Sequence, residues 1–145
     1  MGTVDRTGGA TVVTGRPAKG LDMFYTLERQ ISFATTSCSA ADVIQCLDIP
    51  AETWVFNVLI EVDTAEGATC TATVGDGDGA AAWDASTDLN ATAGTITYGA
   101  GASDSYSTYG KFYSSADTID LTMGHDTDAA IITIRATCCA VTAQA

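Results

Sequence analysis

Asp117-Thr-Ile-Asp-Leu-Thr-Met123, Gly124-His-Asp-Thr-Asp128 and Ala130-Ile-Ile-Thr-Ile-Arg-Ala-Thr-Cys138 make up most of the closing segment Gly110 to Val141. Ile119, Leu121 and Met123 alternate with Thr118, Asp120 and Thr122. Alternation sends successive side chains to opposite faces, which is the period of a half-buried strand and not of a helix. The middle piece is made of turn-forming residues and the third alternates again, so the stretch predicts a β-hairpin. It fixes a fold class and carries no chemistry.

The same period recurs upstream. Trp54 to Val62 is the strongest run, placing Trp54, Phe56, Val58, Ile60 and Val62 on one face and Asn57, Glu61 and Asp63 on the other. Met23, Tyr25, Leu27, Ile31 and Phe33 predict another strand, with Arg29 on the apolar phase and Phe24 on the polar one. Val43 to Leu47 predicts a short strand stopped by Pro50, whose fixed φ and missing N–H end pairing. Cys70, Ala72 and Val74 alternate with threonines, and Thr95 to Tyr98 is a further short strand. Gly75 to Gly94 reads as a loop with a helical turn over Asp84 to Asn90, and Gly99 to Ser107 as a second loop. About eight strands with no long helix predict an all-β fold, an antiparallel β-sandwich of jelly-roll type. It spans residues 23–145, after an extended N-terminal arm over residues 1–22 that is poor in apolar side chains.

Charge narrows the class of partner. The net charge is −12 over 145 residues. Residues 1–29 carry Arg6, Arg16, Lys19 and Arg29 against Asp5, Asp22 and Glu28, and the rest of the chain has only Lys111 and Arg135 against fifteen acids. Phosphate contacts need clustered bases, so an acidic body argues against nucleic acid. No run approaches the ~20 apolar residues of a membrane span, and no leader sequence is visible, so a cytoplasm or a released particle is expected.

Candidate chemistry is sparse. Cys38, Cys46, Cys70, Cys138 and Cys139 form an odd set without Cys-x-x-Cys spacing, and His125 is the only histidine, so no zinc site is expected. Cys138 and Cys139 must point to opposite faces of their strand, and a Cys46–Cys138 or Cys70–Cys138 bridge is open if those strands pair. Counted from Asp76, the Gly-Asp-Gly-Asp-Gly stretch lacks the later oxygen ligands, the Gly and the Glu of an EF-hand loop. A plain Gly/Asp turn is expected there, with a looser calcium site as the alternative. No nucleophile elbow occurs, a triad would have to use His125 from a turn, and Asp126 with Asp128 is an unremarkable acidic pair here. The chain reads as a non-enzyme without a cofactor. Tyr98, Tyr106, Tyr109, Tyr113 and Trp83 are candidates for a sugar-stacking platform.

The outer faces of two strands are apolar where an antiparallel sheet should be wet: Val55 and Leu59 on one, and Ile131, Cys139 and Val141 on the other. These five are the expected oligomer interface.

Taken in order, several short stretches resemble small virion proteins of tailed bacteriophages, the head decoration or cement proteins. They are Leu47-Asp-Ile-Pro-Ala51, Val74-Gly-Asp-Gly-Asp78, Gly110-Lys-Phe-Tyr113, Ala116-Asp-Thr-Ile-Asp-Leu121 and the Ala/Ile/Thr alternation of the last strand, within residues 23–141. The resemblance implies a passive clamp on the outside of a completed icosahedral head. Its partners are the major capsid protein and, in a trimer, further copies of itself. The arm residues Arg6, Arg16, Pro17, Lys19 and Leu21 are then the candidate capsid contact. The competing expectation is a tail or fibre module that binds host glycans through the tyrosine-rich loop.

Overall fold

The structure is a computed structural model that describes residues 2–5, 11–12, 24–99 and 105–141. Two sheets face each other. Sheet I has the order β1 (Thr3–Asp5), β4 (Val43–Ile49), β10 (Asp117–Met123), β6 (Thr71–Gly75), β7 (Asp84–Asp88). Sheet II has the order β2 (Thr11–Val12), β3 (Phe24–Ser32), β11 (Ile131–Ala140), β5 (Thr53–Thr64), β8 (Ile96–Tyr98), with β9 (Lys111–Tyr113) also on β5. Without the short β1, β2 and β9, the nested orders 4-10-6-7 and 3-11-5-8 are those of two interleaved Greek keys. This is the jelly roll, an all-β sandwich.

The closing segment does not form a hairpin. β10 lies between β4 and β6 in sheet I, while β11 lies between β3 and β5 in sheet II, so Gly124 to Ala130 arches across the sandwich. Both strands carry a full apolar face. Ile119, Leu121 and Met123 on one and Ile132, Ile134, Ala136 and Cys138 on the other are at most 2% exposed. Facing each other, the two rows bury themselves, at roughly 1.5–3 kcal/mol for each large side chain; side by side in one sheet they would leave the opposite sheet to cover both. The arch is held by Glu66, whose carboxylate accepts the N–H groups of Asp128, Ala129 and Ala130 at 2.9, 3.0 and 2.7 Å. Burial pushes that carboxyl's pKa up, but these three donors outweigh it and hold it below the usual value.

β5 departs from a clean alternation. Cys138 stands opposite Val55 and Thr137 opposite Asn57, so Phe56 is an extra residue and the strand bulges there. Thr53 and Val55 point inward before the bulge, and Val58, Ile60 and Val62 after it. Trp54 and Phe56 are therefore outside and Val55 is inside, the reverse of the expected placement.

Asp84 to Asp88 is a strand paired with β6, not a helical turn. Asp84 accepts bonds from the Ser86 N–H at 3.0 Å and the Thr87 hydroxyl at 2.6 Å, a local loop of bonds that reads like a helix start. The Leu89 N–H to Cys70 carbonyl bond extends the β6–β7 pairing beyond the strand end. A short helix, α1 (Ser105–Tyr109), falls at the end of the expected second loop and stops at Gly110, where φ is +76°. Of the N-terminal arm, Thr3–Asp5 runs parallel to Val43–Gln45 and Thr11–Val12 pairs with Leu27 and Glu28. All five cysteines are free thiols. Cys138 is in the core, and Cys139 is half-buried on the other side of the strand.

Candidate assembly face

The bulge in β5 produces the main surface feature. On the outer side of sheet II, cross-strand pairing puts Phe24 and Trp54 on either side of Cys139, and Phe112 beside Trp54. Phe24 and Phe56 rings lie 5.3 Å apart, Trp54 and Phe56 6.3 Å, and Trp54 and Phe112 6.2 Å, the last pair stacked. Phe24 is 66% exposed, Phe56 40% and Phe112 37%. A ladder of aromatic pairs on a sheet face is ordinary when something covers it, and costly when water does.

Further along the same face the surface turns polar. Arg135 donates to Glu28 at 2.5 Å and to Glu61 at 2.6 Å, and Thr133 and Gln30 both donate to Asp63. Leu59 is half-buried here, cross-strand from Tyr98 on one side and Arg135 on the other. Ile131, Cys139 and Val141 are also half-buried on the outer side of β11 or just past its end. Of the five expected interface residues, Val55 alone is in the core, at 0% exposure, because the bulge turned it inward. Arg6, Arg16, Pro17, Lys19 and Leu21 lie outside the described residues.

The Gly-Asp stretch is built around an internal cation. Lys111 Nζ donates to Asp76 at 2.7 Å and to Asp78 at 2.8 Å, and lies 4.7 Å from the ring centres of Tyr106 and Tyr113. Asp76, whose side chain is fully buried, also accepts the Tyr113 hydroxyl at 2.7 Å and the N–H groups of Asp78 and Gly79 at 3.0 and 3.1 Å. Trp83 Nε1 donates to the Tyr113 oxygen at 3.2 Å. Burial drives the Asp76 pKa up, and Lys111, Tyr113 and the Asp78 N–H overcome it, leaving the carboxyl below its ordinary range. Tyr113 is pushed far up, by burial first and then by its bond to Asp76. The carboxyl oxygens of Asp76, Asp78 and Asp117 converge as metal ligands do, but Lys111 already supplies the positive charge to two of them. The cluster ties β9 of sheet II to the β6–β7 loop of sheet I. The sequence marks Asp76 and Asp78 as a Gly/Asp turn but gives no sign of their partner, since Lys111 and Asp76 are 35 positions apart.

The expected tyrosine platform divides. Tyr113 is 3% exposed with its hydroxyl committed, and Tyr106 packs edge-on against Trp83 at 5.5 Å. Tyr98 and Tyr109 are exposed, at 65% and 82%. The residues of the arch are likewise used in holding loops together. Asp126 accepts the Ala40 N–H at 2.8 Å, and His125 Nδ1 lies 3.3 Å from the Thr71 nitrogen, which donates to it.

No family model and no curated relative matches the sequence. Similar folds occur in solved phage capsids. A chain from the capsid of Ralstonia phage GP4 has a TM-score of 0.58 at 16% identity, with 99% of each chain covered. A chain from the cyanophage Pam1 capsid asymmetric unit has a TM-score of 0.59 at 16% identity, covering 94% of this chain and 98% of that one. A chain from the capsid of Helicobacter pylori bacteriophage KHP30 scores 0.58 at 14% identity, covering 80% and 86%. At such identities the likeness is one of fold.

Proposed function

We propose that this chain is a capsid decoration protein of a tailed bacteriophage, bound as a trimer to the outer surface of the icosahedral head, which it stabilises. The observation that carries the reading is the end-to-end likeness to a phage capsid chain, covering 99% of both. A jelly roll matched over a fraction of its length would say little, because the fold hosts many functions. A match in size as well as fold, to chains that come from capsids, favours a capsid component.

The site chemistry supports the same reading. Asp76, Asp78, Asp84 and Asp126 and the tyrosines Tyr106 and Tyr113 are committed to internal contacts, which leaves an exposed aromatic face, with Tyr98 and Tyr109 also bare. Such a protein acts by contact, not by turnover. In this reading Thr3–Asp5 and Thr11–Val12 stay paired with the chain's own sheets, and Arg6, Arg16 and Lys19 of the same arm contact neighbouring capsid subunits and supply positive charge to an otherwise acidic chain. The major capsid protein is the partner, and the virion surface is the location.

The test is co-sedimentation of the purified chain with heads that lack it. Saturable binding that raises the heat resistance of the heads is the expected result, and removal of residues 1–22 should weaken it without unfolding the sandwich. Heads that pellet without the protein would refute the proposal.

A further inference from the structure

Charge and exposed apolar surface are divided between the two sheets in opposite ways. The strands of sheet I contain Asp5, Asp48, Asp84, Asp88, Asp117 and Asp120 and no base. On the outer face of sheet II, Glu28 and Glu61 share Arg135 and Asp63 accepts from Thr133 and Gln30, while Lys111 reaches Asp76 and Asp78 and Arg29 stands opposite the core residue Ile134. Among the described residues, the six exposed large hydrophobics are Phe24, Phe56, Ile96, Tyr98, Tyr109 and Phe112. Five sit on strands of sheet II and Tyr109 on α1, which packs against β5; none is on sheet I.

We propose that the outer face of sheet II is the surface on which a second copy of this chain docks. The inference rests on the capsid reading above and names the self-contact that its trimer requires. Two arguments select a copy of the chain as the occupant. The first is charge. Molecules of net charge −12 repel one another, and the aromatic end of this face, formed by Phe24, Trp54, Phe56, Phe112 and Cys139, carries no charged side chain, so two copies can approach there without stacking like charges.

The second is area. At roughly 200 Å² per aromatic side chain, the exposed fractions of Phe24, Phe56, Phe112 and Tyr98 (66, 40, 37 and 65%) leave roughly 420 Å² bare. A stable interface takes about 800 Å² from each partner, so these four side chains supply about half of one share and their surroundings the rest. The composition matches as well, with aromatics at the centre and the Glu28–Arg135–Glu61 ion pairs at the rim.

The experiment is mass photometry and sedimentation equilibrium on the full chain across a concentration series. The unaltered protein should associate. The variant Phe24→Ser/Phe56→Ser/Phe112→Ser should dissociate, with a dissociation constant raised about a hundredfold or more, and with an unchanged far-ultraviolet circular dichroism spectrum. Ser86→Lys, an exposed position on β7 of sheet I, should associate as the unaltered protein does. Should the triple variant fail to fold, Phe24→Ser alone, at the most exposed of the three, must still weaken association. A protein monomeric throughout, or variants that associate undiminished, would overturn the proposal. Head binding is scored separately. An oligomer held by this face that ignores heads would sink the capsid reading and leave the face standing. A monomer whose head binding is lost in the triple variant would assign the face to the shell instead, overturning the self-contact and leaving the capsid reading intact.

Discussion

Replacing Lys111 with Met removes the cation beside a fully buried carboxylate while keeping most of the stem that packs on Tyr106 and Tyr113. Taking one partner from a buried ion pair costs about 3–5 kcal/mol, because the other charge is left without compensation. Asp76 keeps the Tyr113 hydroxyl and two backbone N–H donors, which puts the expected loss at the low end, about 3 kcal/mol. The second pair, to the mostly exposed Asp78, contributes little. For a domain of this size the loss corresponds to roughly 6–12 °C in Tm. Urea unfolding followed by tryptophan fluorescence at neutral pH measures it directly.

The pH dependence has a definite sign. With Lys111 present the Asp76 carboxyl is held below its ordinary 3.8, so its stabilisation exists above that value and is lost as pH falls through the folded value. Without Lys111, burial dominates and the group takes up a proton at higher pH. The gap between the two proteins should therefore be widest near neutrality and shrink toward strong acid. In a double-mutant cycle with Asp76→Asn, the pair should couple by about 2 kcal/mol, since the neutral amide no longer needs the ammonium. A Lys111→Met loss under about 0.5 kcal/mol, or one that does not change with pH, would refute the account of this cluster as a buried electrostatic tie between the sheets.

Three further outcomes follow from the same geometry. Asp120 has its pKa raised to about 6, by burial first and then by Asp117 and Asp76. Ionisation therefore opposes folding from about pH 4 upward and fully above about pH 6. Asp120→Asn should raise the melting temperature at pH 7.5, by a free energy on the order of 1–2 kcal/mol, and change little at pH 4. Gly110→Ala should cost more than about 2 kcal/mol in chemical denaturation, because φ is +76° and the new methyl would lie 2.5 Å from the Val55 carbonyl oxygen and 2.6 Å from Trp54 Nε1. Among the thiols, Cys139 alone should react with a disulfide reagent in the native protein, and more slowly as concentration drives association. The core Cys138, whose pKa burial and then Cys139 raise to about 12, should react only on unfolding.

Much of the fold was legible because alternation reports which face a side chain takes. The alternation of Ile119, Leu121 and Met123 with polar neighbours predicts one buried face, and all three are in the core. Alternation says nothing about which strand lies alongside, so β10 and β11 read as a hairpin when the arch at Gly124 to Ala130 separates them. The bulge at Phe56 was hidden for a related reason. Apolar residues continue through it on both phases, Trp54 and Phe56 on one and Val55 on the other, and only the opposing strand shows which set is extra. β7 gave no signal, since Asp84-Ala-Ser-Thr-Asp88 has no large apolar residue and owes its pairing to β6. An outer apolar face on sheet II was readable in outline from Leu59, Ile131, Cys139 and Val141. Its aromatic centre required the bulge, and Phe112 required the pairing of β9 with Trp54.

Electron cryomicroscopy of the phage particle to which the proposal assigns this chain tests the central claim most directly. The account predicts jelly-roll density on the outer surface of the head, clustered in threes, with the sheet II faces turned toward one another and the aspartate-bearing strands of sheet I toward solvent. Density confined to the tail, or head-bound copies standing apart with Phe24, Phe56 and Phe112 bare, would contradict it.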